Sequence, residues 1–139
     1  MKYLLDTNVI SEWSKPRPNP SVMRWLSEAN EDGLFLSAIA LGELWHGIER
    51  LPQGKRRAEL ARWVEQELSA RFEGRILGID ERVARAWGVL MAESQRQGKT
   101  MHVVDALLAA TANAYSLVLV TRNTKDFIVS GVRVLNPFG

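Results

Sequence analysis

Four acidic residues are placed where a reaction could be carried: Asp6, Glu43, Asp105 and Asp126. Asp6 ends a short apolar run, Tyr3-Leu4-Leu5, and Thr7 and Asn8 follow it before the apolar pattern resumes at Val9. Asp105 is the only charged residue between Lys99 and Arg122. In so apolar a stretch an ionised carboxylate needs a cation, a polar partner or water. Glu43 follows the run Leu34-Phe35-Leu36, and Asp126 follows Leu117-Val118-Leu119-Val120. Carboxylates gathered from these positions would repel one another and raise their own pKa values. A divalent ion such as Mg²⁺ or Mn²⁺ relieves that repulsion through oxygen ligands while keeping waters of its own. The chemistry suited to such a site is attack of metal-assisted water on a phosphodiester, with no covalent intermediate on the protein.

Each acid also has a plainer role open to it. Asp, Thr and Asn all cap helices well, so Asp6 can serve simply as the start of the helix near Val9. Glu43, less than two turns into its helix, is favourable with the helix dipole. Asp80, just before a helix, reads as an N-cap rather than a fifth site acid.

The segments between these residues must do the positioning. Tyr3–Leu5 and Leu34–Leu36 have the length and bulk of buried parallel strands. Lys15-Pro16-Arg17-Pro18-Asn19-Pro20 cannot be helix interior, because its prolines remove donors and fix φ. Asn19 or Ser21 then caps a helix through Val22, Trp25 and Leu26. Ser37 caps a helix from Ala38 to about Leu51, whose stripe of Ile39, Leu41, Leu44, Trp45 and Ile48 faces a core. A long amphipathic helix is expected from Lys55 to about Phe72, and a third strand over Arg75–Asp80. Helices are expected over Glu81–Gln97 and from His102 to Tyr115, a fourth strand ending at Val120, and a fifth, edge strand over Val132–Leu135. The five tryptophans, at 13, 25, 45, 63 and 87, read as core or dimer-interface residues. Strand, acid-bearing turn and helix recur, which gives an α/β class with a mainly parallel sheet. Ligand chemistry in such sheets sits beyond the carboxyl ends of the strands, where these acids fall.

The 139 residues suffice for one domain with a real core. There is no cysteine, which excludes disulfides and thiolate metal sites. No apolar run approaches the ~18–20 residues of a membrane span, and no signal peptide is evident, so a cytoplasmic location is expected. The net charge of +2 conceals a division: with the four acids set aside, 12 acidic residues face 18 basic ones. The remaining surface then favours a polyanion approaching a locally acidic cleft.

Leu4-Leu5-Asp6-Thr7-Asn8, Glu43 after Ser37-Ala38, Asp105 through Ala112, and Thr121-Arg122-Asn123-Thr124-Lys125-Asp126-Phe127 resemble the PIN-domain family. They are most similar to its VapC-type toxins, near the FitB branch. The likeness runs along the whole chain, residues 1–139, as a single PIN domain. It implies a three-layer α/β/α sandwich with a four- to five-stranded, mainly parallel sheet. It also implies a Mg²⁺-dependent endoribonuclease (Mn²⁺ being the alternative ion) that cuts RNA and is neutralised by a cognate small antitoxin. Homodimers are implied as well, and larger assemblies with antitoxin on DNA. By the same likeness Asp6, Asp105 and Glu43 are the metal ligands; the fourth position falls to the place of Asn123 or of Asp126 in different relatives, and Asp126 is favoured here as the remaining catalytic acid. Thr7, Asn8, Thr121 and Asn123 position water or substrate. Two departures stand out. Some relatives carry an acid where Asn123 stands, and His102 replaces a frequent proline, putting a side chain able to reach substrate where a helix-start device would be.

Rival readings have less support. A phosphoaspartate phosphatase would need an acid two residues after its nucleophile, where Asn8 stands. A zinc site from Glu43, His46 and His102 would use the chain's two histidines, which more often have local structural roles. A PIN-like binding module with weakened catalysis, acting through an antitoxin–DNA complex, is the alternative that Asn123 keeps open.

Overall fold

The computed structural model describes residues 1–139. Five parallel strands form one sheet: β1 (Tyr3–Leu5), β2 (Leu34–Ser37), β3 (Ile76–Leu77), β4 (Val118–Val120) and β5 (Val134–Leu135), in the order β3-β2-β1-β4-β5. The strands alternate sides with the period of two that the pleat dictates. Leu4 and Leu119 enter one apolar cluster, and their neighbours Leu5 and Val120 enter another. On the first face lie α6 (Glu81–Arg96) and α7 (Val103–Ala114), which contribute Leu90, Ala106, Leu108, Ala109 and Ala112. The alanines of α7 let its backbone lie close to the sheet. On the second face lie α1 (Thr7–Ile10), α2 (Pro20–Glu28) and α3 (Ala38–Glu49), through Val9, Ile10, Val22, Leu26 and Ala40. The result is the α/β/α sandwich that the family resemblance implies, and every strand pair is parallel, in keeping with the α/β class read from the sequence pattern.

The segment read as one helix over Lys55–Phe72 is more complex. It runs as α4 (Lys55–Arg62), a π-helical stretch Trp63–Leu68, and a last turn α5 (Ser69–Arg71). The Ser69 hydroxyl bridges the widened turn by donating to the Val64 carbonyl, five residues back, at 2.8 Å. Amphipathic spacing does not register such a change, because Val64, Leu68 and Phe72 still reach the core. Strand β3 spans two residues rather than the six of Arg75–Asp80. Glycine at 78 follows at once, and Asp80 is already engaged as the α6 cap, accepting from the Val83 N–H at 2.9 Å. Asn19, not Ser21, caps α2, accepting from Ser21 and Val22 N–H groups at 2.9 and 3.2 Å. All five tryptophans are half-buried. No helix is long and apolar enough to cross a membrane.

One feature of the strand order positions the site. From β1 the chain adds β2 and β3 on one side, then returns to place β4 and β5 on the other. The crevice of a parallel sheet opens at such a reversal, outside the carboxyl ends of the two strands that flank it. Here those ends are Asp6 after β1 and Thr121 after β4, set side by side by the pairing of Leu5 with Val120.

Candidate active site

Asp6 caps α1 and also reaches the turn after β4. Its carbonyl accepts from Ile10 N–H at 3.1 Å, its Oδ1 accepts from Thr7 N–H at 2.7 Å, and its side chain is only 7% exposed. The other oxygen, Oδ2, accepts from the Thr121 hydroxyl at 2.8 Å and more weakly from the Asn8 amide at 3.4 Å. Asn8 in turn reaches across the crevice, its Oδ1 accepting from Arg122 N–H at 3.2 Å. Thr121 Oγ1 also accepts from the Asn123 N–H at 3.0 Å. The turns after β1 and β4 are thus stitched together by side chains of the two motifs that follow the strands.

Glu43 joins from α3. Ser37 caps that helix by accepting from Ile39 N–H at 3.1 Å, which sets the helix directly beyond β2. From there Glu43 Oε1 accepts the Thr7 hydroxyl at 2.7 Å. Asp105 sits half-buried in the first turn of α7, with no hydrogen-bond partner. Asp126 lies in the first turn of a 3₁₀ segment, Thr124–Ser130, and is exposed.

The electrostatics link these four acids. Burial pushes the Asp6 carboxyl above its ordinary value, and Glu43 and Asp105 add to the rise, while the bonds from Thr121 and Thr7 oppose it. Asp105 is likewise raised by burial first, then by the charges of Asp126 and Glu43, with His102 pulling the other way. No lysine or arginine forms an ion pair with any of the four. The donor set is therefore hard oxygen with uncompensated negative charge, which fits Mg²⁺ or Mn²⁺ and not a soft metal. As placed, no three acids or histidines converge closely enough to enclose an ion by themselves. Mg²⁺ keeps several waters in its shell and calls for fewer protein ligands than a zinc site does. Of the two residues considered for the fourth position, Asp126 presents its charge to Asp105, whereas Asn123 enters the network through its backbone N–H and not its amide.

Two neighbours gave no catalytic signal in the sequence. Glu12, 3% exposed, accepts from Asn19 N–H at 2.7 Å and pairs with Lys15. Burial works against its charge, but those bonds and the nearby Arg122 outweigh it and hold the carboxyl below its ordinary range. Its only mark in the sequence is a charge between the apolar residues Ile10 and Trp13. Arg122, beside Thr121, stacks its guanidinium over the Phe138 ring at 4.8 Å.

Comparison with known proteins accords with this arrangement. The PIN domain model matches residues 3–129. Toxin FitB of Neisseria gonorrhoeae is 40% identical over 135 residues, covering 97% of each chain. A VapC ribonuclease of Sinorhizobium fredii is 37% identical over 135 residues, covering 97% of this chain and 96% of its own. Among solved structures, FitAcB from Neisseria gonorrhoeae superposes with a TM-score of 0.92 at 40% identity, covering 98% of both chains. DNA-bound VapBC from Salmonella typhimurium gives 0.81 at 27% identity, covering 99% of this chain and 98% of that one. With its family model matched from β1 into the segment after β4 and its relatives aligned almost end to end, the chain belongs to the PIN domain family, among the FitB and VapC toxins.

Proposed function

We propose that this protein is a Mg²⁺-dependent endoribonuclease toxin, neutralised by a small cognate antitoxin. The observation that carries the proposal is the set of four unpaired acids at the sheet's crevice, with Asp6 and Asp105 both driven toward protonation by burial and by their neighbours. No cationic side chain neutralises this charge, which leaves it available to a cation. Asp6 and Asp105 would hold the ion with Glu43 as the third acid, and the ion would supply water activation and stabilisation of the leaving oxygen.

The chain's own residues have distinct tasks in this reading. Thr121 and the Thr7 N–H fix the Asp6 carboxylate, so that it meets the ion without reorganising. The Thr7 hydroxyl orients Glu43, and Asn8 locks the turn after β4 against the turn after β1. Asp126, exposed beside Asp105, is placed to accept a proton from the attacking water or to orient it. Asn123, exposed next to these groups, positions water or phosphate. The substrate is RNA, as the names of the VapC ribonuclease relatives support, and DNA is reached in complex with antitoxin, as for the DNA-bound VapBC structure. A homodimer is expected.

The test is cleavage of a mixed structured RNA pool in Mg²⁺ or EDTA by wild type and Asp105→Asn. Cleavage that requires the metal and vanishes in the variant supports the proposal. A folded wild type, free of antitoxin, that cuts nothing yet binds its partner would leave the binding-module reading in its place.

A further inference from the structure

Beside the acids the surface opens into a cleft of about 740 Å³, a size within the ~300–1,000 Å³ typical of small-molecule sites. The turn after α6 supplies Lys99 and Thr100, the start of α7 supplies His102 and Asp105, and the 3₁₀ segment supplies Lys125 and Asp126. Two site acids therefore form part of its wall, and a strand crossing the acids on this side runs into it. Lys99 and Lys125 are exposed and take part in no ion pair. Ile128, on the same lining, exposes 76% of its surface, an apolar contact without a partner in this chain. Free cations and an apolar contact lining one cleft offer partners for the two halves of a nucleotide, its phosphate and its base.

We infer that this cleft seats the nucleotide adjacent to the scissile phosphodiester, with Lys99 and Lys125 holding its phosphate and Ile128 flanking its base. The inference rests on the nuclease reading and specifies which side of the site the RNA leaves by. His102 lines the same cleft and is an electrostatic neighbour of Asp105. It offers a ring N–H to the strand where a proline could offer nothing.

The test uses a short single-stranded RNA of about twelve nucleotides, bound to the Asp6→Asn protein across a salt series. Each phosphate contact on a single strand contributes about 0.7 to the slope of log affinity against log salt. The Lys99→Ala/Lys125→Ala pair should weaken binding ~10-fold and flatten the slope by about 0.7. Replacing both lysines by arginine should retain binding. Lys55→Ala/Arg56→Ala removes the same charge from α4 and should leave affinity and slope near those of the parent. Thermal unfolding of each variant checks the fold, which two exposed lysines do not support. Parent-like binding by the cleft variant, equal losses from both pairs, or no RNA binding by the parent would each overturn the inference. Wild type is assayed for cleavage in parallel with Mg²⁺. Loss of cleavage with lysine-dependent binding intact would sink the nuclease reading alone, and cleavage with lysine-independent binding would sink this inference alone.

Discussion

Thr121 Oγ1 donates to Asp6 Oδ2 at 2.8 Å, a buried bond between residues 115 positions apart in the chain. It joins the carboxyl ends of β1 and β4 at the reversal of strand order, and it fixes the orientation of the acid nearest the sheet. Thr121→Val keeps the shape and removes the hydroxyl. Asp6 then loses the strongest of the bonds that oppose its rise in pKa, and the Asn123 N–H loses its acceptor. With Asp6 holding the ion as proposed, the expected cost is about 10- to 100-fold in kcat, and about 1–2 kcal/mol in stability. Thr121→Ser should recover most of both. Steady-state cleavage and urea unfolding of the three proteins check this; a valine variant with wild-type kcat would show that the bond serves the fold alone.

Function and stability should move in opposite directions at Asp105. Its carboxylate is half-buried, unpaired and faced by Asp126 and Glu43, so its charge opposes folding of the metal-free protein. Asp105→Asn removes the charge with almost no change in size. The variant should lose cleavage while its Tm in EDTA rises by roughly 1–3 °C. Added Mg²⁺ should stabilise wild type by mass action and leave the variant's Tm where it was. The sign follows from the direction of the shift: a carboxyl raised in the folded state favours folding as pH falls toward its unfolded value. The advantage of the variant should therefore shrink on acidification. A Tm that falls at neutral pH would count against the site as a store of unpaired charge.

The position of Asp6 at a strand end was legible because it stands where a short apolar run ends. Strands β1 and β4 are three residues long and are followed directly by Asp6 and Thr121, while Ser37 is the last residue of β2. The cap and site readings of Asp6 do not exclude each other, since its backbone and Oδ1 start α1 while Oδ2 is bonded by Thr121 across the crevice. What was not legible depends on contacts distant in sequence. Nothing near Thr7 announces that its hydroxyl belongs to Glu43, thirty-six residues on. The π-helical stretch escaped because Val64, Leu68 and Phe72 satisfy an ordinary helical stripe equally well. The cleft beyond Asp105 gathers residues from two turns and a helix start, and its lysines look like solvated charge until the fold brings them together.

Glu12 anchors the proline-rich turn that leads from the site to α2. Its two oxygens serve the Asn19 N–H and Lys15 Nζ, and removing them strands a backbone donor. Glu12→Ala should lower stability by about 1–3 kcal/mol at pH 7. Because the folded carboxyl lies below its ordinary value near 4.5, the stabilisation is complete above that pH and fades as pH falls through the folded value. The gap between wild type and variant should thus be constant from pH 6 to 8 and narrow below about pH 4.5. Chemical denaturation at a series of pH values measures it. A gap that widened in acid would contradict the assigned ion pair.

Phe138 carries an effect to the site from the end of the described chain. The tail is held where Ser21 Oγ donates to the Pro137 carbonyl at 2.8 Å, and from there the ring lies 4.8 Å from the Arg122 guanidinium. Arg122 follows Thr121 directly, and its N–H is bound by Asn8, so its exposed side chain is aimed from the rim of the crevice. An exposed stack of this kind is worth about 0.5–1 kcal/mol, which corresponds to a two- to fivefold change in an equilibrium. Phe138→Ala should raise KM for RNA by about that factor, and Phe138→Tyr should restore it. Arg122→Ala should raise KM at least as much, and combining it with Phe138→Ala should add nothing further, because the ring acts only through the guanidinium. Additive losses in the double variant would mean that the ring touches RNA itself; an unchanged KM with a lowered Tm would confine Phe138 to anchoring the tail.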